Sequence, residues 1–383
     1  MIEYFPATTR ISVEATQEYF MEYFPVLTGS DYEAKRGYYM NMEYFPVEFT
    51  ESQYLINKYR IAWYTKDSII HHPKVLVSYA HRPDKPLREI FNDDGVKILG
   101  DSGGFQAVTL NMNIDPNDVI KWQNENCDIG ITLDRPPLRD LINVSPEAWY
   151  KGAEFEKYMK ISNDNANLMM SKKNQNLKLY LALHGYDEAT RKQWLIDGLK
   201  QYQNWDGYAI ASKPNDDMKN LADWLIFAKN NNLKNIHLLA ISGATTLPIA
   251  AYMSRYFDSI FFDSSSYSMG SRQRIYYLPF TVRGKLSMAS MKENNNGIPK
   301  TLPCDCQVCS KIKDTSIFSS TENMGFAGWL VNIHNIVQTQ RYITLLAGTI
   351  HDREVFGKIV GRRVMEVINY IDDKLSGKGQ ITF

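Results

Sequence analysis

The chain lacks an excess of either charge, a long apolar run and enough cysteine for a disulfide framework. Lysine plus arginine number 43, as do aspartate plus glutamate, so nucleic acid would have to be bound by a local basic patch. No run is apolar enough to cross a membrane, and the start, MIEYFPATTR, lacks the basic and apolar segments of a signal peptide. Four cysteines, three of them clustered, indicate a reducing setting. These absences predict a cytoplasmic protein with no membrane partner (in the host cytoplasm, if a phage encodes it).

The length of 383 residues and a hydrophobic content of 44% suit one large domain, or one large and one small domain. The tetrapeptide EYFP occurs at residues 3–6, 22–25 and 43–46. Such few copies do not make a solenoid. They predict a local duplication that forms edge strands or a loop-rich cap, within an N-terminal extension over residues 1–60. Stacking of these aromatic side chains on nucleic-acid bases is the functional alternative.

From about residue 74, short apolar runs alternate with amphipathic stretches, as in repeated parallel βα units. The predicted strands are Lys74–Tyr79, Val96–Gly100, Ile129–Leu133, Leu177–Leu183, Gly207–Ala211, Asn235–Ile241 and Ser259–Phe262. The clearest predicted helices are Glu188–Trp205, Asp216–Asn231 and Thr245–Phe257. An eighth strand from the N-terminal part, or near Tyr276–Phe280, would complete a (β/α)8 barrel over residues 61–283. A doubly wound open sheet is the alternative fold.

Nearly every predicted strand ends in a polar or glycine-bearing cluster. These clusters are Asp101-Ser-Gly-Gly, Asp134-Arg-Pro-Pro, His184-Gly185, Ser212-Lys213, Ser242-Gly243 and Asp263-Ser-Ser-Ser-Tyr267. One such aspartate alone would be read as a helix cap or turn residue. Because the carboxyl ends of barrel strands converge on one face, the whole set predicts an active site there.

The sequence Cys304-Asp-Cys306-Gln-Val-Cys309, followed by His334, predicts a metal site. Three thiolates and one imidazole make a closed tetrahedral zinc centre, which is structural because it has no vacant position. Three merely buried cysteines are the alternative. The closed site also disfavours a metal-dependent barrel hydrolase. We therefore expect a zinc-binding subdomain over residues 284–350, with a predicted helix over Gly325–Leu346, and a C-terminal helix over residues 351–383 that completes the barrel.

The surroundings of this metal motif are basic. Eight lysine or arginine residues, against two acidic ones, lie between Ser268 and Lys313. Such an excess is often only a solvated face. Beside aromatic residues it predicts a track for a phosphate backbone, with Arg272, Arg274, Arg283 and Lys285 as contacts.

Four motifs in order resemble the queuine and archaeosine tRNA-guanine transglycosylases: DSGGFQ at 101–106, ISG at 241–243, FFDSSSY at 261–267, and CDCQVC with its histidine. The resemblance runs from about residue 96 to 346. It implies a (β/α)8 barrel with a zinc-binding insertion, and the exchange of a guanine in nucleic acid for a 7-deazaguanine base. FDSSSY and CDCQVCSK are closer to the archaeosine branch, which uses 7-cyano-7-deazaguanine (preQ0). Since the chain ends soon after the zinc helix, it looks most like the compact DpdA-type enzymes, which modify DNA.

The resemblance also implies roles for particular residues. Base exchange at C1′ passes through a cationic, oxocarbenium-like transition state that carboxylates stabilise. Asp263 is then the nucleophile and Asp101 the general acid and base, whereas Asp258 lies at the far end of its strand and is structural. Asp134 accepts hydrogen bonds from the base, and Phe105 stacks on it. The further base-binding candidates are Ser102, Gly103, Gly104, His184, Gly185 and Gly243.

Two alternatives remain open at this point. His184 stands where the queuine branch has a glutamine, and YSMGSRQR replaces an arginine-rich tRNA-contact segment. A tRNA-guanine transglycosylase of the archaeosine or queuine type is therefore one alternative to a DNA enzyme. The other is a non-catalytic paralogue that only docks nucleic acid, although such a protein could dispense with Asp101 and Asp263. By resemblance, a homodimer or an accessory protein is the expected protein partner.

Overall fold

The structure is a computed structural model. It describes residues 21–25, 70–91, 95–136, 153–210, 217–269, 275–288, 301–312, 315–318 and 324–377.

Eight strands form one parallel sheet. They are β1 Met21–Pro25, β2 Lys74–Ser78, β3 Lys97–Asp101, β4 Ile129–Ile131, β5 Lys178–Leu183, β6 Gly207–Ile210, β7 Asn235–Leu238 and β8 Ser259–Ser264. The strand order is β1-β8-β7-β6-β5-β4-β3-β2, and every neighbouring pair is parallel. All strands therefore end at the same side of the sheet.

The sheet curls around its own apolar interior. Phe24 on β1, Leu76 on β2 and Tyr180 on β5 belong to one buried cluster, although they come from the two edges and the middle of the strand order. The Tyr180 ring stacks on Phe261 at a centroid distance of 6.1 Å, and the edge strands β1 and β2 contact each other. An open sheet would keep its edges apart, so the predicted (β/α)8 architecture is confirmed.

The eighth strand comes from the N-terminal part of the chain, where it contains the second EYFP copy. Phe24 is fully buried and lies 5.5 Å from the ring of Phe261. The Glu22 carboxylate pairs with Lys97 on β3 at 2.8 Å. The predicted N-terminal extension thus contributes a strand to the barrel. The other two EYFP copies lie outside the described residues.

Helices cover the outside of the sheet and pack on its outward-facing side chains. They are α1 Leu87–Ile90, α2 Gly104–Thr109, α3 Pro116–Asn126, α4 Ala153–Lys172, α5 Glu188–Gly198, α6 Met218–Asn230 and α7 Thr246–Ser254. Three of these helices begin at a capping aspartate. The side chains of Asp115, Asp187 and Asp217 each accept a hydrogen bond from a backbone amide of the first helical turn. Of the predicted helices, Glu188–Trp205 is the one that ends well short, at Gly198, where Leu199 takes over as the C-cap.

After β8 come the short helix α8 Ser266–Met269 and an antiparallel hairpin, β9 Ile275–Tyr277 and β10 Lys285–Ser287. The predicted candidate near Tyr276–Phe280 is therefore part of this hairpin and lies outside the barrel sheet. The long helix α9 Met324–Thr349 packs on β9 and α7, and is followed by α10 Arg353–Val360 and α11 Arg362–Leu375. The predicted single C-terminal helix is thus two helices, of which α11 packs on α6 and α7. Within the described residues no helix has the length and hydropathy to span a membrane.

Candidate active site and metal centre

A polar layer caps the apolar interior at the carboxyl ends of the strands. Side chains two positions apart on a strand share a face. Leu99 points into the interior cluster, so Asp101 does too. By the same rule, Asp263 lies two positions after the inward-facing Phe261, and His184 lies two positions after the inward-facing Ala182. Alternation along three strands thus places two carboxylates and an imidazole over one apolar floor.

Asp101 is the carboxylate whose protonation the site alters most clearly. Burial, together with the negative charges of Asp134 and Asp263, raises the pKa of Asp101 from 3.8 to about 6. The Ser78 hydroxyl and the Gly103 amide, which donates to Asp101 Oδ2 at 3.2 Å, act in the opposite direction. The three carboxylates therefore share one electrostatic environment. Asp101 can hold or release a proton near neutral pH.

The two glycines that follow Asp101 and Ser102 are required for different structural reasons. Gly103 has a φ of +80°, in the left-handed region. Gly104 opens α2 against Asp134: a Cβ atom there would lie 2.1 Å from Asp134 Oδ1 and 2.5 Å from the Asp134 carbonyl oxygen. The space beside Gly104, which is predicted to be part of the base-binding site, is therefore occupied by the Asp134 carboxylate.

Asp134 is held by a histidine on the neighbouring strand. His184 Nε2 lies 2.6 Å from Asp134 Oδ2, and both side chains are buried. The His184 ring packs on Trp194 at a centroid distance of 4.8 Å. His184, which the sequence analysis predicts to be a base-binding residue, thus fixes one oxygen of the Asp134 carboxylate.

Asp263 is also held by a histidine on the neighbouring strand, which the sequence analysis did not predict. His237 Nε2 lies 3.0 Å from Asp263 Oδ1, and the Ala240 amide donates to the same oxygen at 2.9 Å. Asp263 is 6% exposed and His237 is fully buried. The available signal was the position of His237, two residues before the apolar Leu239 and therefore on the inward face of β7. Asp258, by contrast, is exposed and precedes β8.

The other predicted base-binding residues surround this cluster. The Ser102 hydroxyl is buried and has no hydrogen-bond partner among the described residues. The Phe105 ring is 48% exposed at the start of α2. Gly185 packs on α5, where an added Cβ atom would lie 2.6 Å from the Arg191 amide nitrogen. The Gly243 carbonyl accepts the Leu247 amide at 3.0 Å, so it serves the start of α7.

A second cluster could hold a metal ion. Its ligand atoms, from Cys304, Cys306, Cys309 and His334, lie within 4.8 Å of one another. The Nδ1 atom of His334 is 3.4 Å from Cys306 Sγ and 3.2 Å from Cys309 Sγ. Its Nε2 atom is 2.7 Å from the Tyr277 carbonyl oxygen, which accepts the Nε2 proton and so turns the Nδ1 lone pair toward the sulfurs.

Further contacts stabilise negative charge on the sulfurs. The Cys304 Sγ atom accepts from the Cys306 amide at 3.4 Å and from Gln338 Nε2 at 3.2 Å. The Tyr276 ring stacks on His334 at 3.8 Å. Hydrogen-bond donors around sulfur and a carbonyl behind the histidine are what a thiolate–imidazole metal centre requires. The residues present therefore fit the predicted ion.

The predicted basic track is described in part. Arg283 and Lys285 are exposed on the β9–β10 hairpin, whose first strand carries Tyr276 and Tyr277 behind the metal cluster. Lys285 Nζ lies 5.1 Å from the centre of the Tyr277 ring. Arg272 and Arg274 lie outside the described residues. The described cations therefore lie on the hairpin whose first strand contacts the cysteine–histidine cluster.

Comparison with known proteins gives a consistent result. The model of the family described as queuine tRNA-ribosyltransferase matches residues 79–357, which is well over half of the chain. Among curated proteins, the tRNA-guanine(15) transglycosylase of Methanococcus maripaludis is 24% identical over 288 residues, covering 72% of this chain and 40% of the relative. The chain thus matches less than half the length of that relative.

A second curated protein matches over a much shorter stretch. The serine/threonine-protein kinase ENV7 of Saccharomyces cerevisiae is 26% identical over 87 residues, 21% of this chain and 23% of the kinase. This share of either protein is too small to support an inference about kinase chemistry. The family match, in contrast, spans the strands that carry all three clustered carboxylates.

Proposed function

Since the chain belongs to the queuine tRNA-ribosyltransferase family, we propose that it is a transglycosylase that exchanges guanine in DNA for preQ0. The single observation that carries this proposal is the polar layer at the strand ends, where the charges of both Asp134 and Asp263 raise the pKa of Asp101. Three carboxylates that share one electrostatic environment suit a reaction whose transition state is a sugar cation. A protein that only docked nucleic acid would have no use for such repulsion.

In the first step, an oxygen of Asp263 attacks C1′ of the target nucleotide. The bond from C1′ to guanine N9 breaks, and its electron pair leaves with the base. Asp101 in its protonated form donates a proton to the departing guanine. The products are free guanine and a covalent ester between Asp263 and the sugar, with the backbone intact.

In the second step, preQ0 occupies the place of guanine. Ionised Asp101 removes the N9 proton, N9 attacks C1′, and the ester bond to Asp263 breaks. Two inversions at one carbon give net retention. A pKa of about 6 for Asp101 suits this role, because the same group must donate a proton in one step and accept one in the next.

Recognition of the base falls to Asp134 and its neighbours. With Oδ2 held by His184, the carboxylate is oriented to accept hydrogen bonds from the N1–H and 2-amino groups of a guanine-type base. The exposed Phe105 ring stacks on the base at the mouth. The buried Ser102 hydroxyl has no hydrogen-bond partner in the described part of the chain, which supports its predicted place in the pocket lining, with Gly103, Gly185 and Gly243 supplying backbone around it.

We infer that the metal is zinc, because a set of three sulfurs and one nitrogen within 4.8 Å matches tetrahedral zinc. All four ligands come from the protein, so the ion is structural and joins the loop around Cys306 to α9. This supports a zinc-binding subdomain over residues 284–350 beside the barrel.

The polynucleotide must present a flipped-out nucleotide, because a base inside a duplex cannot reach the layer at the strand ends. Arg272, Arg274, Arg283 and Lys285 are proposed to contact its phosphates, either in one chain or across a homodimer. FDSSSY and CDCQVCSK resemble the archaeosine branch, but YSMGSRQR stands where that family has an arginine-rich tRNA-contact segment, and this replacement supports DNA. The name of the Methanococcus relative makes tRNA the alternative.

The test is to incubate the protein with labelled preQ0 and either duplex DNA or tRNA. Label in DNA, and none with Asp263→Ala, is the expected result. Label in tRNA alone would establish the tRNA alternative and reject DNA. No label in either polynucleotide would reject the reaction. Mass spectrometry of nucleosides from cells expressing either form gives the same comparison in vivo.

A further inference from the structure

We propose that His237 is a positioning residue: it holds one oxygen of Asp263, so that the other oxygen faces the sugar. The proposal rests on the proposed function of Asp263 as the nucleophile. It adds a residue outside the sequence motifs that define the site.

The first observation is the placement of His237. It is fully buried on β7, in register with Ala209 on β6 and Phe261 on β8, both of which line the barrel interior. An imidazole in an apolar interior is costly unless it makes a hydrogen bond. The one that its ring makes with the residues described is to Asp263 Oδ1, at 3.0 Å. Its position is thus explained by that carboxylate.

The second observation is that another donor converges on the same oxygen. The Ala240 amide donates to Oδ1 at 2.9 Å, and Ala240 has a φ of +56°. A left-handed alanine costs about 1 kcal/mol or more, and such strain persists where the surrounding structure over-determines it. Within the described part of the chain, both hydrogen bonds that Asp263 accepts go to Oδ1. This arrangement immobilises Oδ1 and leaves Oδ2 as the attacking atom.

The third observation concerns the second ring nitrogen of His237. His237 Nδ1 is buried and has no partner among the described residues. In the neutral tautomer with the proton on Nε2, Nδ1 is a bare lone pair. An imidazolium would instead bury an unpaired N–H, which is the more expensive defect. A neutral donor orients the carboxylate and leaves its charge in place. A lysine or arginine partner would instead set a positive charge beside it.

His184 offers a matched comparison, because it makes the same kind of contact to a carboxylate with a different role. Its Nε2 atom lies 2.6 Å from Asp134 Oδ2. If His237 serves the nucleophile and His184 serves base recognition, their loss should affect different kinetic parameters. If both histidines had only a general structural role, the loss of either one would affect the same kinetic parameters.

The test uses His237→Phe, His237→Gln and His237→Asn in the full chain, with thermal unfolding as the check on folding. A glutamine amide nitrogen can reach the place of Nε2, whereas an asparagine amide is too short. The rate of covalent adduct formation is measured in a single turnover on an oligonucleotide, without incoming base. We expect the phenylalanine and asparagine variants to be about 10- to 100-fold slower. The glutamine variant should stay within a few-fold of wild type.

The KM for preQ0 should change by less than about twofold in the His237 variants, whereas His184→Gln should raise it. Equal rates for His237→Asn, His237→Gln and wild type would overturn the proposal, as would a folded glutamine variant as slow as the asparagine variant. The asparagine and glutamine pair decides the matter if the phenylalanine variant does not fold. A wild-type chain that forms no adduct with DNA or tRNA would instead reject the proposed function on which this role depends.

Discussion

Gly104 and Asp134 lie so close together that a Cβ atom on the glycine would stand 2.1 Å from Oδ1 of the aspartate. The contact joins the first turn after β3 to the residue that follows β4. It means that the second glycine of the DSGG motif has no side chain because a carboxylate of the site occupies that space.

Gly104→Ala should therefore weaken base binding. The added methyl group must displace Asp134, so we expect the KM for preQ0 to rise about 10-fold or more, while the rate of adduct formation falls less. Steady-state kinetics with varied preQ0 measures this. Gly357→Ala is the matched control, since its Cβ atom would come no closer than 3.5 Å to Met365. An unchanged KM in Gly104→Ala would show that Asp134 does not contact the base.

Asp101→Asn should stabilise the protein at neutral pH. Because burial raises the pKa of Asp101 from 3.8 to about 6, the folded state binds this proton more tightly than the unfolded state. The wild type therefore loses stability from this group as pH rises from about 4 to about 6. The asparagine variant, which cannot ionise, should be more stable by up to about 3 kcal/mol at pH 7.5, and its advantage should disappear near pH 4.

Urea unfolding at both pH values measures that difference. The exposed Asp258→Asn is the control, and it should change little at either pH. An Asp101→Asn advantage that is the same at pH 4 as at pH 7.5 would mean that the wild-type carboxyl is not the source.

Cys306→Ser should remove the metal and much of the stability of the α9 region. Cys306 is fully buried in the cluster, and structural zinc sites contribute folding free energy directly, so we expect a loss of more than about 3 kcal/mol. Elemental analysis after gel filtration, together with thermal unfolding, measures both effects. Cys127→Ser changes a buried cysteine outside the cluster and should retain the metal. Full metal content in Cys306→Ser would reject the predicted ligand set.

Phe24→Ala should destabilise the barrel by about 3 to 5 kcal/mol, because the ring fills the interior against Phe261. Phe280→Ala removes a ring that is 42% exposed and should cost less than about 1 kcal/mol. Chemical denaturation gives both values. A Phe24→Ala cost as small as that of Phe280→Ala would mean that β1 does not close the barrel.

Much of this architecture could be predicted, because the alternation of short apolar runs and helices is local. The strands from Lys74 onward and the helix that carries His334 were all recoverable in this way. The eighth strand was harder. EYFP occurs three times with nearly the same neighbours, and no local rule distinguishes the copy at residues 22–25, whose place depends on pairing with β8 far along the chain.

The site shows the same division between local and long-range signals. Asp101, Asp134 and Asp263 end strands and could be selected by position. The contacts of Gly104 with Asp134 and of His237 with Asp263 join different βα units, so their partners become visible only after folding. A histidine between two apolar residues of a predicted strand was the available sign at position 237, and its inward orientation follows from Leu239 two residues later.

The central claim is that Asp263 forms a bond to the sugar. The most direct measurement is mass spectrometry of proteolysed protein after incubation with guanine-containing oligonucleotide and no incoming base. The account predicts a nucleotide adduct on the peptide that carries Asp263, present in Asp258→Asn and lost in Asp263→Asn. An adduct on any other residue, or one that persists in Asp263→Asn, would contradict it.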